Sequence, residues 1–162
     1  ATRSALLRRD GQVVDVDGTS PVGFRAPVGD YFIAARHRNH LGAMTAAPQH
    51  LNFVITTIDL TAPATALWGT EAMRDVNGTR VLWSGDVLRD GLLRYVGQDN
   101  DRDPILQAVG GSVPTEITTG YNTTDVGMDG TTRYVGSGND RDPILDNIGG
   151  STPTAVRTEQ LP

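Results

Sequence analysis

The chain has 162 residues, 38% of them hydrophobic, enough for one modest domain or a domain with a small appendage. Its net charge is -5, and 16 of its 19 acids are Asp, a balance that argues against nucleic acid as the main partner. It holds no Cys, which excludes disulfides and thiolate metal sites, and no apolar run approaches membrane-spanning length.

Taken in order, residues 1–83 read as a β-rich domain. "SALLRRDGQVVDVDG" alternates apolar and polar residues around Asp10-Gly11, a hairpin signal. "DYFIAARHR" (30–38) and the strongly β-branched "LNFVITTIDL" (51–60) are strand candidates. "EAMRDVNGTRVLW" carries Asn77-Gly78 between two short apolar runs, a second hairpin signal. Strands at such short spacing predict a mainly β fold, an antiparallel β-sandwich. Within it, "HRNH" spaces His37 and His40 three apart, which on one strand places them on opposite faces, so a shared metal is not expected.

From Ser84 the texture changes. "RYVGQDNDRDPILQAVGGSVPT" (94–115) aligns without gaps to "RYVGSGNDRDPILDNIGGSTPT" (133–154), with 16 of 22 positions identical. Upstream, "GDVLRDG" faces "TDVGMDG", so each unit runs D-x-x-x-D-G, Y-V-G, N-D-R-D, a short apolar segment and Gly-Gly. Two copies are too few for a solenoid and fit a paired unit with a pseudo-twofold axis. Pro in the first turn, an Asp before it to cap, and Gly-Gly as a stop predict a helix of about two to three turns. Its buried face is Ile105, Leu106 and Val109 in one copy and Ile144, Leu145 and Ile148 in the other. Residues 84–154 therefore form a tandem repeat module, and 155–162 a C-terminal tail.

Ten of the 16 Asp lie between Asp86 and Asp146. D-x-x-x-D-G is the front half of a calcium loop, which needs acids early, a Gly at position 6, a carbonyl at position 7 and a late carboxylate. Asp86, Asp90 and Gly91 fill positions 1, 5 and 6, and Leu92 offers the carbonyl; the second copy supplies Asp125, Asp129, Gly130 and Thr131. Position 12 is Gly97 or Gly136, so the late ligands are expected from the insertion: Asn100, Asp101 and Asp103, then Asn139, Asp140 and Asp142, with Asp103 and Asp142 closing their loops. Position 3 is Leu88 or Gly127, one oxygen short of the usual set. Oxygen donors favour Ca²⁺, two ions or more, over zinc or copper. The alternative is an Asp-rich turn pair neutralised by Arg102 and Arg141.

The loop-then-helix order resembles a dockerin with an insertion before the last ligand. Through "RSALLRRDGQVVDVDG", "ARHRNHLGAMTA", "LWSGDVLRDG", the two "NDRDPIL" units and "RTEQLP", the whole chain resembles the C-terminal region of secreted bacterial hemagglutinin-like proteins. Their usual Asn at loop position 3 is missing here twice. The resemblance implies export, calcium and a role at the bacterial cell surface or in the matrix, and its label establishes no activity.

No Ser lies in a nucleophile-elbow context, and the paired carboxylates read better as calcium ligands than as a glycosidase pair, so an enzyme is not expected. Tyr95 and Tyr134 recur at matching positions and read as packing behind the loops. The start at Ala1 reads as a mature, processed product. "ATRSALL" is already strand-like, an edge open to a neighbour. The expected function is a secreted calcium-binding structural protein that self-associates by strand addition into an extracellular filament or matrix. The alternative is a dockerin-like or lectin-like adhesion module recognising a surface protein or glycan.

Overall fold

A computed structural model describes residues 1–162. The fold is mainly β, with antiparallel pairing throughout six two-stranded sheets. The chain divides into two compact units: Ala1–Tyr31 with Pro48–Ile58, and Phe32–Ala47 with Asp59–Pro162.

In the first unit, β1 (Leu6–Leu7) and β2 (Val13–Val14) form the hairpin expected around Asp10-Gly11. The Asp10 carboxylate accepts the Gln12 N–H at 3.1 Å, an Asx turn that fixes the reversal. β3 (Gly29–Tyr31) pairs with β6 (Gln49–Leu51). The strand expected over 51–60 ends at Leu51. Asn52 accepts the Val54 N–H through its side chain, and nothing pairs with the backbone beyond it as a ladder. Val14 is the unit's single buried hydrophobic residue, while Phe53 is 99% exposed and Val54 and Ile55 are 73% exposed.

The second unit gathers the rest. The strand expected over 30–38 is split: β4 (Ala34–His37) turns through Arg38-Asn39 into β5 (His40–Met44). β7 (Arg74–Val76) and β8 (Thr79–Val81) form the second expected hairpin. Asn77 (φ 53°) and Gly78 (φ 84°) are both left-handed, the geometry of a two-residue turn matched to strand twist.

In the repeats, β9 (Leu92–Arg94) leads to α1 (Arg102–Ala108) and β10 (Ile117–Thr119). β11 (Thr131–Arg133) leads to α2 (Asp142–Asn147) and β12 (Val156–Thr158). β10 pairs with β11, and β12 returns to pair with β9. α1 packs on β11 and α2 on β9. Each repeat thus closes on the other's strand, and the two interlock.

Their shared core sets Val87 and Ile105 against Val126 and Ile144, matched positions of the two copies, with Tyr95 and Tyr134 packed alongside. Leu106 and Leu145 are half-buried, and Val109 and Ile148 are buried. Each helix stops as expected: the Gly111 N–H reaches back to Leu106 and that of Gly150 to Leu145.

The expected boundary between 83 and 84 does not divide the units. Leu41 from β5 shares a core with Leu93 and Ile148, and its N–H bonds to the Trp83 carbonyl, so 32–47 and 59–83 belong with the repeats. Residues 155–162 are likewise no free tail, because β12 completes the β9 sheet.

Candidate functional site

Each repeat opens on a turn organised by its first acid. Asp86 accepts the Asp90 N–H on Oδ1 at 3.0 Å and the Gly91 N–H on Oδ2 at 3.2 Å. Asp125 does the same with Asp129 at 3.1 Å and Gly130 at 3.2 Å. The reversal needs left-handed backbone at Gly91 (φ 79°) and Gly130 (φ 81°), where glycine carries no penalty. Two residues earlier it also forces Arg89 (φ 61°) and Met128 (φ 57°) into that region, a strain on the order of 1 kcal/mol each.

The position-5 acids close the turn. Asp90 Oδ1 accepts the Leu92 N–H at 2.9 Å and Asp129 Oδ1 that of Thr131 at 2.8 Å. Their other oxygens pair with Arg94 at 3.0 Å and Arg133 at 2.8 Å. Leu92 and Thr131, the expected carbonyl donors, stand at the starts of β9 and β11.

The late acids divide into two groups. Asp101 crosses the loop: Oδ1 accepts the N–H groups of Val87 at 2.8 Å and Leu88 at 3.1 Å, and Oδ2 that of Arg94 at 2.9 Å. Asp140 does likewise with Gly127 at 2.9 Å and Arg133 at 2.7 Å. Asp103 and Asp142 do not close the loops. They stay exposed in a box with the preceding asparagines, in which Asn100 Oδ1 accepts the Asp103 N–H at 3.0 Å and Asn100 Nδ2 donates to Asp103 Oδ2 at 2.8 Å. Asn139 and Asp142 repeat it at 2.9 and 2.7 Å. The N-cap residues Asp101 and Arg141 make no side-chain cap bond; Asn100 and Asn139 take a first-turn N–H of each helix instead, because the Asp101 and Asp140 carboxylates are spent on the turns.

Burial pushes the Asp86, Asp101 and Asp140 carboxyls above their ordinary values, Asp101 to about 6. Backbone N–H bonds oppose the rise, and the neighbouring acid adds to it: Asp86 acts on Asp101, and Asp125 on Asp140. None of these three forms an ion pair. Arg102 and Arg141 pair with the exposed Asp103 and Asp142, at 3.8 and 3.4 Å, and lie over the Tyr95 and Tyr134 rings, 5.1 and 5.2 Å from their centroids. No three acidic or imidazole side chains are grouped to hold a metal ion as they stand. The donor chemistry nonetheless fits a hard cation. Every group is an oxygen, and each turn holds a late carboxylate, Asp101 or Asp140, that is buried beside another acid and has no ion pair of its own.

Three participants are not evident from the motifs. Arg94 and Arg133 stand four residues after their acids in both copies, a spacing that marks them in the sequence. Arg38 reaches Asp125 from 87 residues away, which no local pattern signals.

His37 and His40 are not on opposite faces. The Arg38-Asn39 turn makes them a cross-strand pair, with Nδ1 atoms 2.9 Å apart and rings edge to face. His50 meets Asp30 across β3 and β6 at 2.8 Å.

No protein-family model, no curated protein and no solved structure matches this chain. No helix is long and apolar enough to cross a membrane.

Proposed function

We propose that the chain is a secreted structural protein of the bacterial cell surface or matrix, stiffened by calcium and assembling with copies of itself into an extracellular filament. The observation that carries this is the first unit. It keeps one hydrophobic side chain buried and leaves Leu6, Leu7, Val13, Val16, Phe53, Val54 and Ile55 exposed. A unit that small with so little core is marginal alone. Its two-stranded ribbons have free edges, and "NFVI" is β-prone chain without a ladder partner. Strand addition from a second copy would enlarge these ribbons toward the β-sandwich that the sequence suggests.

In this reading the repeats are a dockerin-like tandem of loop and short helix. Asp86, Asp90, Asp101 and the Leu92 carbonyl hold one Ca²⁺, and Asp125, Asp129, Asp140 and the Thr131 carbonyl a second. Calcium supplies the positive charge that Asp86, Asp101 and Asp140 lack. The side chains do the rest, drawing the backbone of each turn around the acids. The protein acts by contact, not by catalysis.

Electron microscopy of the purified protein with Ca²⁺ and with a chelator tests the reading. Filaments are expected with Ca²⁺ and are lost in Val54→Asp, whose folded second unit keeps its amide-exchange protection. A monodisperse monomer under all conditions overturns it. Exposed Trp68 and Tyr121 favour a second reading, a lectin-like adhesion module, which a glycan array separates from the first.

A further inference from the structure

The first acids of the two turns accept the same pair of backbone N–H groups, yet one basic side chain reaches only one of them. Arg38, at the tip of the β4–β5 turn, reaches only the second repeat. Its Nε–H donates to the Asn122 carbonyl at 3.0 Å, and its terminal NH₂ pairs with Asp125 Oδ2 at 3.2 Å. Asn39, fully buried beside it, locks the tip in place: Nδ2 donates to the carbonyls of Thr123 at 2.8 Å and Asp125 at 2.7 Å. The Tyr121 ring packs against the guanidinium, 5.5 Å from centroid to carbon. Asp86, the matching acid, accepts the same two backbone N–H groups but meets no basic side chain.

We propose that Arg38 is a built-in counter-ion for the second turn, so that the repeats take calcium unequally. The first turn, with Asp86, Asp90 and Asp101, is the tight, calcium-responsive site. The second, with Asp125, Asp129 and Asp140, binds weakly and keeps its shape without the ion. This rests on the calcium reading above. The guanidinium marks the Asp125 carboxylate as a cation position and is a competitor for it. A divalent ion entering there must break a charge-assisted bond at a fully buried carboxylate, worth roughly ten- to a hundredfold in affinity. The guanidinium is also held by its Nε–H bond to the Asn122 carbonyl, and Asn39 anchors the backbone beside it. At Asp86 no guanidinium has to give way.

Calorimetric titration of the whole chain with Ca²⁺ tests this alongside amide exchange in a chelator. Wild type is expected to bind one ion at least about tenfold more tightly than the next. Asp86→Asn removes the tight phase. Arg38→Gln narrows the gap to about threefold or less, whereas Arg38→Lys, which keeps the charge, preserves it. In the chelator, the Asp129 and Gly130 amides of wild type exchange about tenfold more slowly than those of Asp90 and Gly91, and Arg38→Gln cancels the difference. If Arg38→Gln fails to fold, the wild-type exchange comparison and Asp86→Asn still decide. Two ions of equal affinity, with equal exchange at both turns, overturn the inequivalence and leave the calcium reading standing. No uptake by any folded variant overturns both.

Discussion

His37 Nδ1 lies 2.9 Å from His40 Nδ1, and only one of the two can carry a proton. Asn39 decides which. Its Nδ2 is committed to two carbonyls, so its Oδ1, 2.8 Å from His40 Nδ1, must accept, and His40 is the protonated partner. The pair is thus built for two neutral rings. Burial holds both pKa values below the ordinary imidazole value, His40 at about 3, with His37 and Arg38 adding to the effect on His40.

The first prediction concerns acid. A folded pKa below the unfolded value of 6.5 gives stability that is full above pH 6.5 and drains as the pH falls toward 3. Between pH 7 and pH 5 the loss is on the order of 2 kcal/mol. Urea melts compare wild type with a His37→Gln/His40→Gln variant, which shares every carboxylate and so cancels their opposite contribution. The wild type should show the steeper acid loss, and parallel profiles would remove the pair from the account.

Calcium should respond to pH in the other direction from a buried acid alone. With no ion bound, the Asp101 carboxyl sits near 6 against 3.8 unfolded, so this group favours the fold below pH 3.8 and costs stability as the pH rises through 6. An ion needs the charged form, so calcium affinity falls below pH 6 by up to about tenfold per pH unit. The gap in melting temperature between calcium-loaded and chelated protein is therefore expected to widen from pH 5 to pH 7.5. The His37–His40 contribution is common to both states and drops out of that gap.

What could be read from the sequence follows how local the cause is. The turns at Asp10-Gly11 and Asn77-Gly78 are set by their own residues and fall where expected. The helix stops at Gly110-Gly111 and Gly149-Gly150 are equally local. On one continuous strand His37 and His40 would face opposite sides, and the two-residue turn between them makes them cross-strand neighbours instead. "LNFVITTIDL" has the composition of a strand, but a strand also needs a partner, and its propensity cannot supply one. At the site, Asp86, Asp90 and Gly91 are legible because a tight loop dictates their spacing. Asp101 was indistinguishable from Asp103 in N-D-R-D. Only the geometry separates the acid turned back over the loop from the one facing solvent.

Loop position 3 offers a gain-of-affinity test. Leu88 is exposed, and a Cβ on Gly127 would meet Asp140 Oδ1 at 3.6 Å, ordinary contact beside the late carboxylate. Gly127 has no left-handed backbone, so a side chain there carries no strain. Leu88→Asn and Gly127→Asn should each restore an oxygen and raise calcium affinity by about tenfold at their own loop. Calorimetry reads this directly, and an unchanged affinity at both loops would place the ion elsewhere than beside position 3.

The interlocked pairing of the repeats makes a prediction about coupling. Were the two loop–helix units independent, Ile105 and Ile144 would each stabilise its own copy, and truncating both would cost the sum. They instead share one core with Val87 and Val126, while β10 and β12 each close the opposite copy. Ile105→Ala and Ile144→Ala should each cost about 2–5 kcal/mol, since both side chains are fully buried. The double variant should depart from the sum by about 0.5 kcal/mol or more, because the two side chains line the same space. Denaturant melts of the four proteins close the cycle. A single cooperative transition in every variant, with a non-zero coupling term, is what the swapped strands require; two separable transitions in either single variant would mean that each repeat folds by itself.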